Sequence, residues 1–380
     1  MRRVSIIQRE IPHYRIRFFE ELYAQGRSQG LDFRLYAGVA PPQPSSQLGF
    51  PYAVLPVRAL NKKRLSPYWM PGLERAIAGS EIIVAPQELQ CLTVPYLWAK
   101  RKQICNSWIW WGHGYNAQAA LHPSAVTKLK EAMKHFMTCR ADGVLTYTAR
   151  GAEYWRRQGL PENRVAPYNN TIDVEELREA KVNIDEHQLA RLRQRLKIEG
   201  KRVLLFSGRL YAEKKVDFLL LSYALLKKSY PDVALLIIGD GEERNTLEQS
   251  AQQRELQDVH FLGSVVDPQS TAAYFSLADL LVIPGVVGLA IVHGFAFGLP
   301  LVTTDTPGHG PELDYLSETN GVMTEPDILQ YAESIKALLT APLKLESMKQ
   351  AARAQGDALY LPLSVNRFVT GVQSFSSTRS

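Results

Sequence analysis

Short apolar runs alternate along the chain with segments that carry helical periodicity or turn residues. In the first half each run suits one buried strand, and a helical stretch from Arg17 to Gln25 follows the first of them. The predicted strands are Val4–Ile7, Phe33–Tyr36, Ile82–Ala85, Trp108–Trp111, Gly143–Thr146 and Arg164–Pro167. Strands that alternate with helices in this way predict a parallel sheet that is covered on both faces.

A second series of strands and helices begins after the segment Asn169–Thr171, which we interpret as a linker, and a charged helix from about Asp185 to Lys197. Its predicted strands are Val203–Phe206, Ala234–Ile238, His260–Leu262, Leu280–Ile283 and Leu301–Thr304. Its predicted helices are Val216–Lys228, Glu243–Glu255 and Ser270–Ser276. The two series therefore predict two α/β domains of similar size.

The domain organisation follows from this repetition, because 380 residues are more than one hydrophobic core usually serves. We predict two facing Rossmann-like domains, residues 1–170 and residues 171–362, with a carboxy-terminal helix at about 363–380 that packs back on the first. Ligands of such sheets bind beyond the carboxyl ends of the strands. We therefore expect the active site in the cleft between the domains.

Composition narrows the class of protein. Hydrophobic residues make up 46% and charged residues 22%, which is typical of a soluble globular chain. No apolar run approaches the roughly 20 residues of a membrane span, and Val4–Ile7 is too short for a signal peptide, so we expect a cytoplasmic protein. The net charge of +6 comes without RNA-binding or zinc-finger signatures, so we expect no nucleic-acid partner. The three cysteines have no metal-ligand spacing and are expected to be free thiols.

The segment from Leu204 to Leu220 carries the clearest candidate chemistry. A strand ends at Gly208, the following loop presents Arg209 and Lys214, and a helix begins near Val216. Two cations beside a helix N-terminus form a natural diphosphate site, because the N–H groups and the helix dipole add to their charge. As a charge pattern alone, the loop is equally consistent with solvated surface cations.

Four segments resemble the family-4 glycosyltransferases, which have the two-domain GT-B fold. Leu204–Asp217 is similar to that family's strand, G-R-L loop, E-K pair and helix. Leu235–Arg244 resembles the next strand and turn, Val259–Val265 the loop beside the nucleotide base, and Ala278–Asp305 the donor-binding strand, glycine-rich loop and helix. Their order and spacing agree with the family. The resemblance is close over about half the chain and looser over the amino-terminal half.

The resemblance implies roles for individual residues in binding a nucleoside diphosphate sugar, which would be a substrate rather than a cofactor. Arg209 and Lys214 would neutralise the diphosphate as the sugar–oxygen bond breaks. The loop Gly285–Gly288 with Leu289 would present backbone N–H groups to the sugar and phosphate, although a tight turn also explains its glycines. The implied donor-binding positions are Gly208, Arg209, Lys214, Leu262, Gly285, Gly288, Leu289 and His293.

The donor loop departs from the family at two positions. The family commonly carries two glutamates eight positions apart, and alignment on Gly298–Pro300 puts Gly285 and His293 in their places. His293 could still form a hydrogen bond with a ribose hydroxyl, whereas Gly285 has no side chain. Either the sugar is held by the backbone, or the donor differs, or the chain is a degenerate relative. Glu312, where the family often has an acidic residue, could equally be a solvated carboxylate.

A histidine between two glycines marks the amino-terminal half. His113 follows the apolar strand Trp108–Trp111 and resembles the family's histidine near the donor sugar, although a lone histidine is often structural. We interpret His113, Arg209 and Lys214 as the catalytic residues.

The first βα loop has no glycine-rich turn and instead carries polar and aromatic side chains. Its side chains suit a polar acceptor, and Arg15 or Arg17 could engage a phosphate on that acceptor. Both arginines could equally be the solvated start of a helix. The candidate acceptor-binding residues are Glu10, His13, Tyr14, Arg15 and Asn116.

Two segments combine cations with aromatic residues. Val57–Leu73 includes Lys62, Lys63 and Arg64 beside Tyr68 and Trp69, and Trp98–Gln103 adds three more cations. Such segments suit an anionic membrane surface, so we expect peripheral contact with the inner face of a membrane, although surface lysines are common.

The predicted reaction is transfer of a sugar from a nucleoside diphosphate sugar to a hydroxyl of a lipid-linked or polysaccharide-precursor glycan. The resemblance alone implies retention at the anomeric carbon. No metal-binding Asp-x-Asp motif stands in a suitable loop, so we expect a metal-independent enzyme. Two alternatives remain open: a nucleotide-sugar epimerase, and a non-catalytic protein that binds a sugar nucleotide or glycan.

Overall fold

The computed structural model describes residues 1–41, 48–59, 67–115 and 124–376. The chain forms two compact units: unit 1 is Met1–Asp173 with Leu361–Ser380, and unit 2 is Val174–Tyr360. The interpretation of Asn169–Thr171 as a linker is wrong, because Asn170 and Thr171 are buried within unit 1. The Asn170 amide oxygen accepts a hydrogen bond from Arg15, and the Thr171 hydroxyl donates to the Ile172 carbonyl.

Unit 1 contains a seven-stranded parallel sheet in the order β3-β2-β1-β6-β7-β8-β9, and β4 and β5 form a separate antiparallel pair. The strands are β1 (Arg2–Glu10), β2 (Leu31–Val39), β3 (Tyr52–Val54), β4 (Arg58–Ala59), β5 (Tyr68–Trp69), β6 (Ile82–Pro86), β7 (Ser107–Gly112), β8 (Gly143–Thr146) and β9 (Val165–Pro167). The direction of strand succession reverses between β1 and β6. Loops that leave β1 and β6 therefore diverge and open a crevice at the carboxyl edge.

Helices cover both faces of this sheet. They are α1 (Ile16–Ser28), α2 (Leu73–Ala76), α3 (Thr93–Ala99), α4 (Arg101–Ile104), α5 (Ala125–Thr138) and α6 (Ala149–Arg157). The helices α5 and α6 begin where the Ser124 and Thr148 hydroxyls accept the N–H groups of Thr127 and Gly151, and such a cap contributes about 1 kcal/mol. The strands are apolar on both faces, as burial between two helical layers requires.

Unit 2 contains a six-stranded parallel sheet in the order β12-β11-β10-β13-β14-β15. The strands are β10 (Arg202–Ser207), β11 (Val233–Ile238), β12 (Val259–Gly263), β13 (Leu280–Val282), β14 (Leu301–Thr304) and β15 (Gly321–Thr324). Succession reverses between β10 and β13, which is the strand order of the Rossmann fold. The fold class is thus confirmed as α/β with two Rossmann-like sheets.

The helices of unit 2 are α7 (Glu175–Val182), α8 (Glu186–Leu196), α9 (Val216–Ser229), α10 (Arg244–Gln253), α11 (Pro268–Leu277), α12 (Ala290–Ala296), α13 (Ile328–Leu339) and α14 (Pro342–Ala358). α8 begins at a capping box, in which Asp185 and Gln188 satisfy each other's backbone N–H groups. The three cysteines are free thiols. Among the residues described, none of the helices combines the length and the apolar character that crossing a membrane requires.

The last helix, α15 (Leu361–Ser376), belongs to unit 1. Its apolar face carries Leu361, Val365, Phe368 and Val372, which lie in the same buried cluster as α1 and the strands. Spacings of three and four residues put these side chains on one stripe of the helix. The carbonyl of Pro362 accepts a hydrogen bond from Gln25 at 3.0 Å, so the chain returns to its first helix.

Candidate functional site

The switch point of the unit 2 sheet brings two loops together. One follows β10 and contains Gly208 to Lys215, and the other follows β13 and contains Gly285 to Leu289. Because β10 and β13 are neighbours whose crossovers run to opposite faces, the two loops flank one crevice. Both predicted donor segments therefore lie at the edge where Rossmann-like sheets bind ligands.

The second loop is fastened to the first through its backbone. The Val286 N–H donates to the Glu213 carbonyl at 2.9 Å, and Lys214 Nζ donates to the Val286 carbonyl at 2.6 Å. Gly285 packs so closely that a Cβ there would lie 2.1 Å from the Glu213 oxygen and 2.4 Å from the Lys214 carbonyl carbon. Only glycine fits this contact, so position 285 has no room for a side chain.

Lys214 lies inside this junction. Its side chain is 7% exposed, and burial lowers its pKa to about 8, an effect that the charge of Glu312 partly offsets. Glu312 is itself 5% exposed, so its interpretation as a solvated carboxylate is wrong. Lys214 therefore holds the loop in place while its ammonium retains further donor capacity.

Arg209 has the opposite environment. Its side chain is exposed and forms no ion pair with any residue the structure describes. It follows Gly208, whose carbonyl oxygen would be only 1.8 Å from a Cβ on Gly239. This close approach brings the ends of β10 and β11 together with no side chain between them. Arg209 is thus presented on a tightly packed turn, with its guanidinium free for an anion.

The backbone N–H groups of the second loop are partly used by the protein. Val286 donates to Glu213, and Val287 donates to His309 Nδ1 at 3.0 Å. Within the described residues, the N–H groups of Gly288 and Leu289 have no acceptor. The expectation that the whole loop offers N–H groups is therefore wrong for Val286 and Val287, whose N–H groups are used within the protein.

Lys215 is a residue that the sequence argument missed. Its backbone is left-handed, with φ of 52°, and its Nζ donates to Thr306 Oγ1 at 2.7 Å. The Thr306 hydroxyl lies 2.8 Å from that of Thr304, which donates to the Pro284 carbonyl at 2.6 Å. This chain of hydrogen bonds puts a third cation beside the two loops. The adjacent lysines Lys214 and Lys215 are the feature of the sequence from which this third cation could have been predicted.

The two other predicted donor residues lie on β12 and α12. Leu262 is half-buried at the carboxyl end of the edge strand β12. The His293 ring meets Phe275 edge-on, with ring centroids 6.0 Å apart, and burial lowers its pKa to about 4. His293 is therefore neutral at physiological pH, when one nitrogen donates and the other accepts hydrogen bonds.

In unit 1, His113 directly follows β7. Its ring keeps an exposed face and lies 4.5 Å from the Tyr147 ring, centroid to centroid. The dense protein around it, together with the charges of Lys134 and Arg15, lowers its pKa to about 4. The imidazole is thus neutral and able to donate or accept. Asn116, predicted beside it, lies outside the described residues.

Arg15 is buried in an aromatic cage, so its interpretation as a solvated helix start is wrong. Its guanidinium carbon lies 5.1 Å from the Trp111 ring centroid and 5.4 Å from that of Tyr147. Its Nη2 donates to Asn170 Oδ1 at 3.1 Å, while Nη1 is shielded from solvent and has no hydrogen-bond partner among the described residues. The interpretation as a solvated arginine fits Arg17, which is exposed and paired with Glu20.

The remaining predicted acceptor residues are at the surface. Glu10 is the exposed last residue of β1, and His13 and Tyr14 are exposed in the short 3-10 helix that follows. The His13 and Tyr14 rings pack edge to face at 5.6 Å. All three lie on the loop at the unit 1 switch point, together with Arg15.

No cluster of three or more histidine, cysteine or carboxylate side chains that could hold a metal ion occurs among the described residues. The cations Lys62, Lys63 and Arg64 lie outside the described ranges. In the same segment Trp69 is partly exposed, and its ring centroid lies 5.3 Å from that of the partly exposed Tyr96.

Curated relatives match parts of the chain. The alpha-monoglucosyldiacylglycerol synthase of Streptococcus pneumoniae is 29% identical over 150 residues, which are 38% of this chain and 33% of that protein. The alpha-D-kanosaminyltransferase of Streptomyces kanamyceticus is 27% identical over 226 residues, 58% of this chain and 57% of that protein. The chain thus spans between a third and somewhat over half of the length of these relatives.

The fold and the family matches extend over more of the chain. HepE of Anabaena in complex with UDP has a TM-score of 0.73 at 17% identity, covering 98% of this chain and 100% of that one, a likeness of fold. The family model of group 1 glycosyltransferases matches residues 190–355, and that of a glycosyl transferase 4-like domain matches residues 16–171. One match lies in unit 2 and the other in unit 1. The chain belongs to the family-4-like group 1 glycosyltransferases of the GT-B fold.

Proposed function

We propose that the protein transfers a sugar from a nucleoside diphosphate sugar to a hydroxyl group of a lipid-linked or polysaccharide-precursor glycan, with retention and without a metal ion. Unit 2 takes the donor and unit 1 the acceptor. Retention follows the family resemblance. Solved neighbours of the same fold are complexes with UDP and UDP-glucose, so UDP is the first nucleotide to test.

The observation that carries this proposal is the junction at the unit 2 switch point. The two loops are fastened together around Lys214, and Arg209 stands exposed on a rigid turn beside them. An exposed guanidinium next to a buried ammonium is a site for a group with two negative charges. A diphosphate has that charge and fits the position.

The chemistry assigned to these residues is stabilisation of the leaving group. As the bond from the anomeric carbon to the diphosphate oxygen breaks, Arg209 and Lys214 neutralise the charge that develops on that oxygen. The same oxygen accepts the proton of the incoming acceptor hydroxyl, so no protein carboxylate is required as base. The N–H groups of Gly288 and Leu289 hold sugar hydroxyls in place of the absent glutamate. His293 is assigned to a ribose hydroxyl.

On the acceptor side, Arg15 supplies a buried positive charge, and one of its N–H groups has no partner in the part of the chain that the structure describes. A desolvated guanidinium binds an anion more strongly than a solvated one, which supports a phosphate on the acceptor. His113, neutral above about pH 4, is the proposed catalytic residue of unit 1, where its lone pair and N–H can contact sugar hydroxyls. Glu10, His13 and Tyr14 contribute polar contacts.

A stripe on α5 supports contact with a membrane. Val126, Leu129, Met133 and Phe136 recur at helical spacing and are 62%, 70%, 41% and 49% exposed. Exposed cations Lys128 and Lys130 share the helix. An exposed apolar stripe flanked by cations suits a helix that lies in the interface of an anionic bilayer.

The membrane contact is tested by sedimentation with vesicles that contain anionic lipid. Leu129→Asp should reduce binding several-fold, whereas Leu343→Asp, at a lone exposed leucine of unit 2, should not. Equal binding by both variants would remove α5 from the proposal.

A second candidate function is binding of a sugar nucleotide without catalysis. The observation that favours it is the absence of space for any side chain at Gly285, which removes a sugar contact that the family commonly has. The third possibility, an epimerase, would need acids or bases near the sugar.

One experiment separates these functions. A panel of nucleoside diphosphate sugars is incubated with a polyprenyl-linked or saccharide acceptor, and sugar release, transfer and epimerisation are followed by NMR. Transfer that depends on the acceptor, with an unchanged anomeric configuration, is the expected result. Donor binding without turnover would favour the non-catalytic role, and interconversion of donor sugars would favour the epimerase. His113→Ala should lower the transfer rate far more than the melting temperature, because its ring is partly exposed.

A further inference from the structure

A third loop of unit 2, residues 305–310, follows β14 at the carboxyl edge of the sheet. In the sheet order β13 lies between β10 and β14. The second loop, which contains Gly285 to Leu289, is therefore flanked by the first loop on one side and by the third loop on the other. The third loop contains His309 between Gly308 and Gly310. A titratable side chain thus lies next to the second loop.

The third loop holds both backbone groups of Val287. His309 Nδ1 accepts the Val287 N–H at 3.0 Å, and the Gly310 N–H donates to the Val287 carbonyl at 2.8 Å. Val287 is 0% exposed, so a backbone group that lost its partner would have little access to water as a replacement. The middle of the second loop therefore depends on these two contacts for its position.

The first loop holds the preceding residue in the same manner. The Val286 N–H donates to the Glu213 carbonyl, and Lys214 Nζ donates to the Val286 carbonyl. Hydrogen bonds from two flanking loops thus fix two successive residues of the second loop. The N–H groups of Gly288 and Leu289, which have no acceptor within the described residues, come directly after them. The direction of these N–H groups therefore depends on the third loop as well as on the first.

The two contacts of the His309 ring fix its protonation. Nδ1 faces the Val287 N–H, so it accepts a hydrogen bond and carries no proton. Nε2 lies 2.9 Å from the Thr304 carbonyl, which can only accept, so Nε2 carries the proton. A histidine cation has N–H groups at both positions, and it would direct a donor at the Val287 N–H. Protonation of the ring is therefore incompatible with its contact to Val287.

The charges around His309 act in both directions. The charged and titratable groups near it are those of Asp305, Lys214, Lys215 and Glu312. Burial lowers the pKa of His309 most, the hydrogen bond to the Thr304 carbonyl and the charge of Asp305 raise it, and the two lysines lower it. The net direction is downward from the ordinary value of about 6.5. The ring is therefore neutral at neutral pH and gains its second proton only under acid conditions.

We propose that His309 is a positioning residue of the donor site, and that its neutral, Nε2-protonated ring holds the second loop in the conformation that binds a nucleoside diphosphate. Protonation of the ring breaks its hydrogen bond with Val287, so donor affinity falls toward acid pH. This inference rests on the proposed function, because it takes the second loop as part of the donor site. The Lys214 ammonium titrates on the alkaline side, so the two effects are separable.

Calorimetric titration of UDP between about pH 4.5 and 7 tests the proposal, since His309 gains its proton in that range. His309→Asn keeps an oxygen acceptor in place of Nδ1 but does not titrate, so it should lose less affinity at acid pH than the wild type. Ionisation of UDP itself is common to both titrations and cancels in their ratio. His309→Leu has no acceptor and should bind UDP about tenfold more weakly at pH 7. His187→Asn, at an exposed histidine of α8, is the control and should follow the wild type.

Hydrogen–deuterium exchange followed by mass spectrometry provides a measurement that needs no ligand. At pH 7 the fragment that contains Val287 should exchange faster in His309→Leu than in the wild type or His309→Asn, relative to its intrinsic rate. Unchanged exchange in His309→Leu would overturn the proposal, as would an acid loss of UDP affinity as large in His309→Asn as in the wild type. If neither the wild type nor any variant bound UDP, the proposed function would fail, and the exchange result would still decide whether His309 holds the second loop.

Discussion

The switch points of the two sheets are built in different ways. In unit 2 the loops meet backbone to backbone: Gly285 lies against the Lys214 carbonyl and Gly239 against that of Gly208. In unit 1 the corresponding loop meets the protein through side chains, with the Arg15 guanidinium enclosed by Trp111 and Tyr147. One crevice is shaped by the absence of side chains and the other by their presence.

This difference predicts how each region tolerates substitution. Adding any side-chain atom disrupts a close backbone contact, whatever the chemistry of that atom. A buried cation in an aromatic cage is instead sensitive to removal of its guanidinium group. In unit 2 the cation Arg209 is exposed on a tightly packed turn, whereas in unit 1 the cation Arg15 is buried. Unit 2 should therefore be sensitive to the size of a substituted side chain at its switch point, and unit 1 to its chemical identity.

The largest effect is expected from adding a single carbon at Gly285. Gly285→Ala would put a Cβ within 2.6 Å of three backbone atoms of Glu213 and Lys214. We therefore expect the free energy of unfolding to fall by about 3 kcal/mol. We also expect UDP binding to be lost. Gly288→Ala is the matched control, because nothing lies within 4 Å of a Cβ there. Urea denaturation of both variants measures the difference, and equal stability would show that the junction is not tightly packed.

The next effect concerns the caged arginine. Arg15→Met retains an apolar stem but leaves Asn170 and Tyr168 with altered hydrogen bonds, so we expect a loss of about 1–3 kcal/mol of unfolding free energy. Arg17→Ala, at an exposed ion pair two residues away, should change it by less than about 1 kcal/mol. Urea denaturation measures both changes. Equal unfolding free energies in the two variants would show that the aromatic cage around Arg15 does not stabilise unit 1.

A smaller effect should appear in the pH dependence of donor binding. Burial lowers the pKa of Lys214 to about 8, so its ammonium is charged below that pH and neutral above it. UDP affinity should therefore fall as pH rises, by roughly tenfold per pH unit above 8 if the charge is essential. Calorimetry between pH 7 and 9.5 measures it. Lys214→Arg, which does not titrate in this range, should give a flat profile, and a flat wild-type profile would show that Lys214 is not a diphosphate ligand.

The smallest effect is expected at Lys215. Its left-handed backbone costs about 1 kcal/mol in a residue other than glycine, and its hydrogen bond to Thr306 contributes about as much. Lys215→Gly should therefore leave stability within about 0.5 kcal/mol of the wild type while lowering UDP affinity by removing a nearby cation. A large drop in the melting temperature would mean that Lys215 acts mainly through its hydrogen bonds with Thr306 and Thr304 rather than through its positive charge.

The sequence predicted the two sheets because strands such as Gly143–Thr146 and Leu301–Thr304 are short runs rich in apolar and β-branched residues, and both have those bounds in the structure. It missed β3 and β15, which are short and partly polar strands that depend on a neighbour for their hydrogen bonds. It also missed the cage around Arg15, since Trp111 and Tyr147 approach that residue only through the tertiary fold. Position 285 requires glycine because it contacts the backbone of Lys214, which is 71 positions away in the chain. No local sequence pattern shows such a contact.

The central claim is that the unit 2 switch point binds a nucleoside diphosphate through Arg209, and a calorimetric titration of UDP tests it most directly. Arg209→Ala removes an exposed guanidinium that has no ion pair within the described residues, so stability should be unchanged and UDP affinity should fall about ten- to a hundredfold. Lys228→Ala, at an exposed cation of α9, serves as the control and should bind UDP normally. UDP affinity that is the same in the wild type, Arg209→Ala and Lys228→Ala would contradict the account.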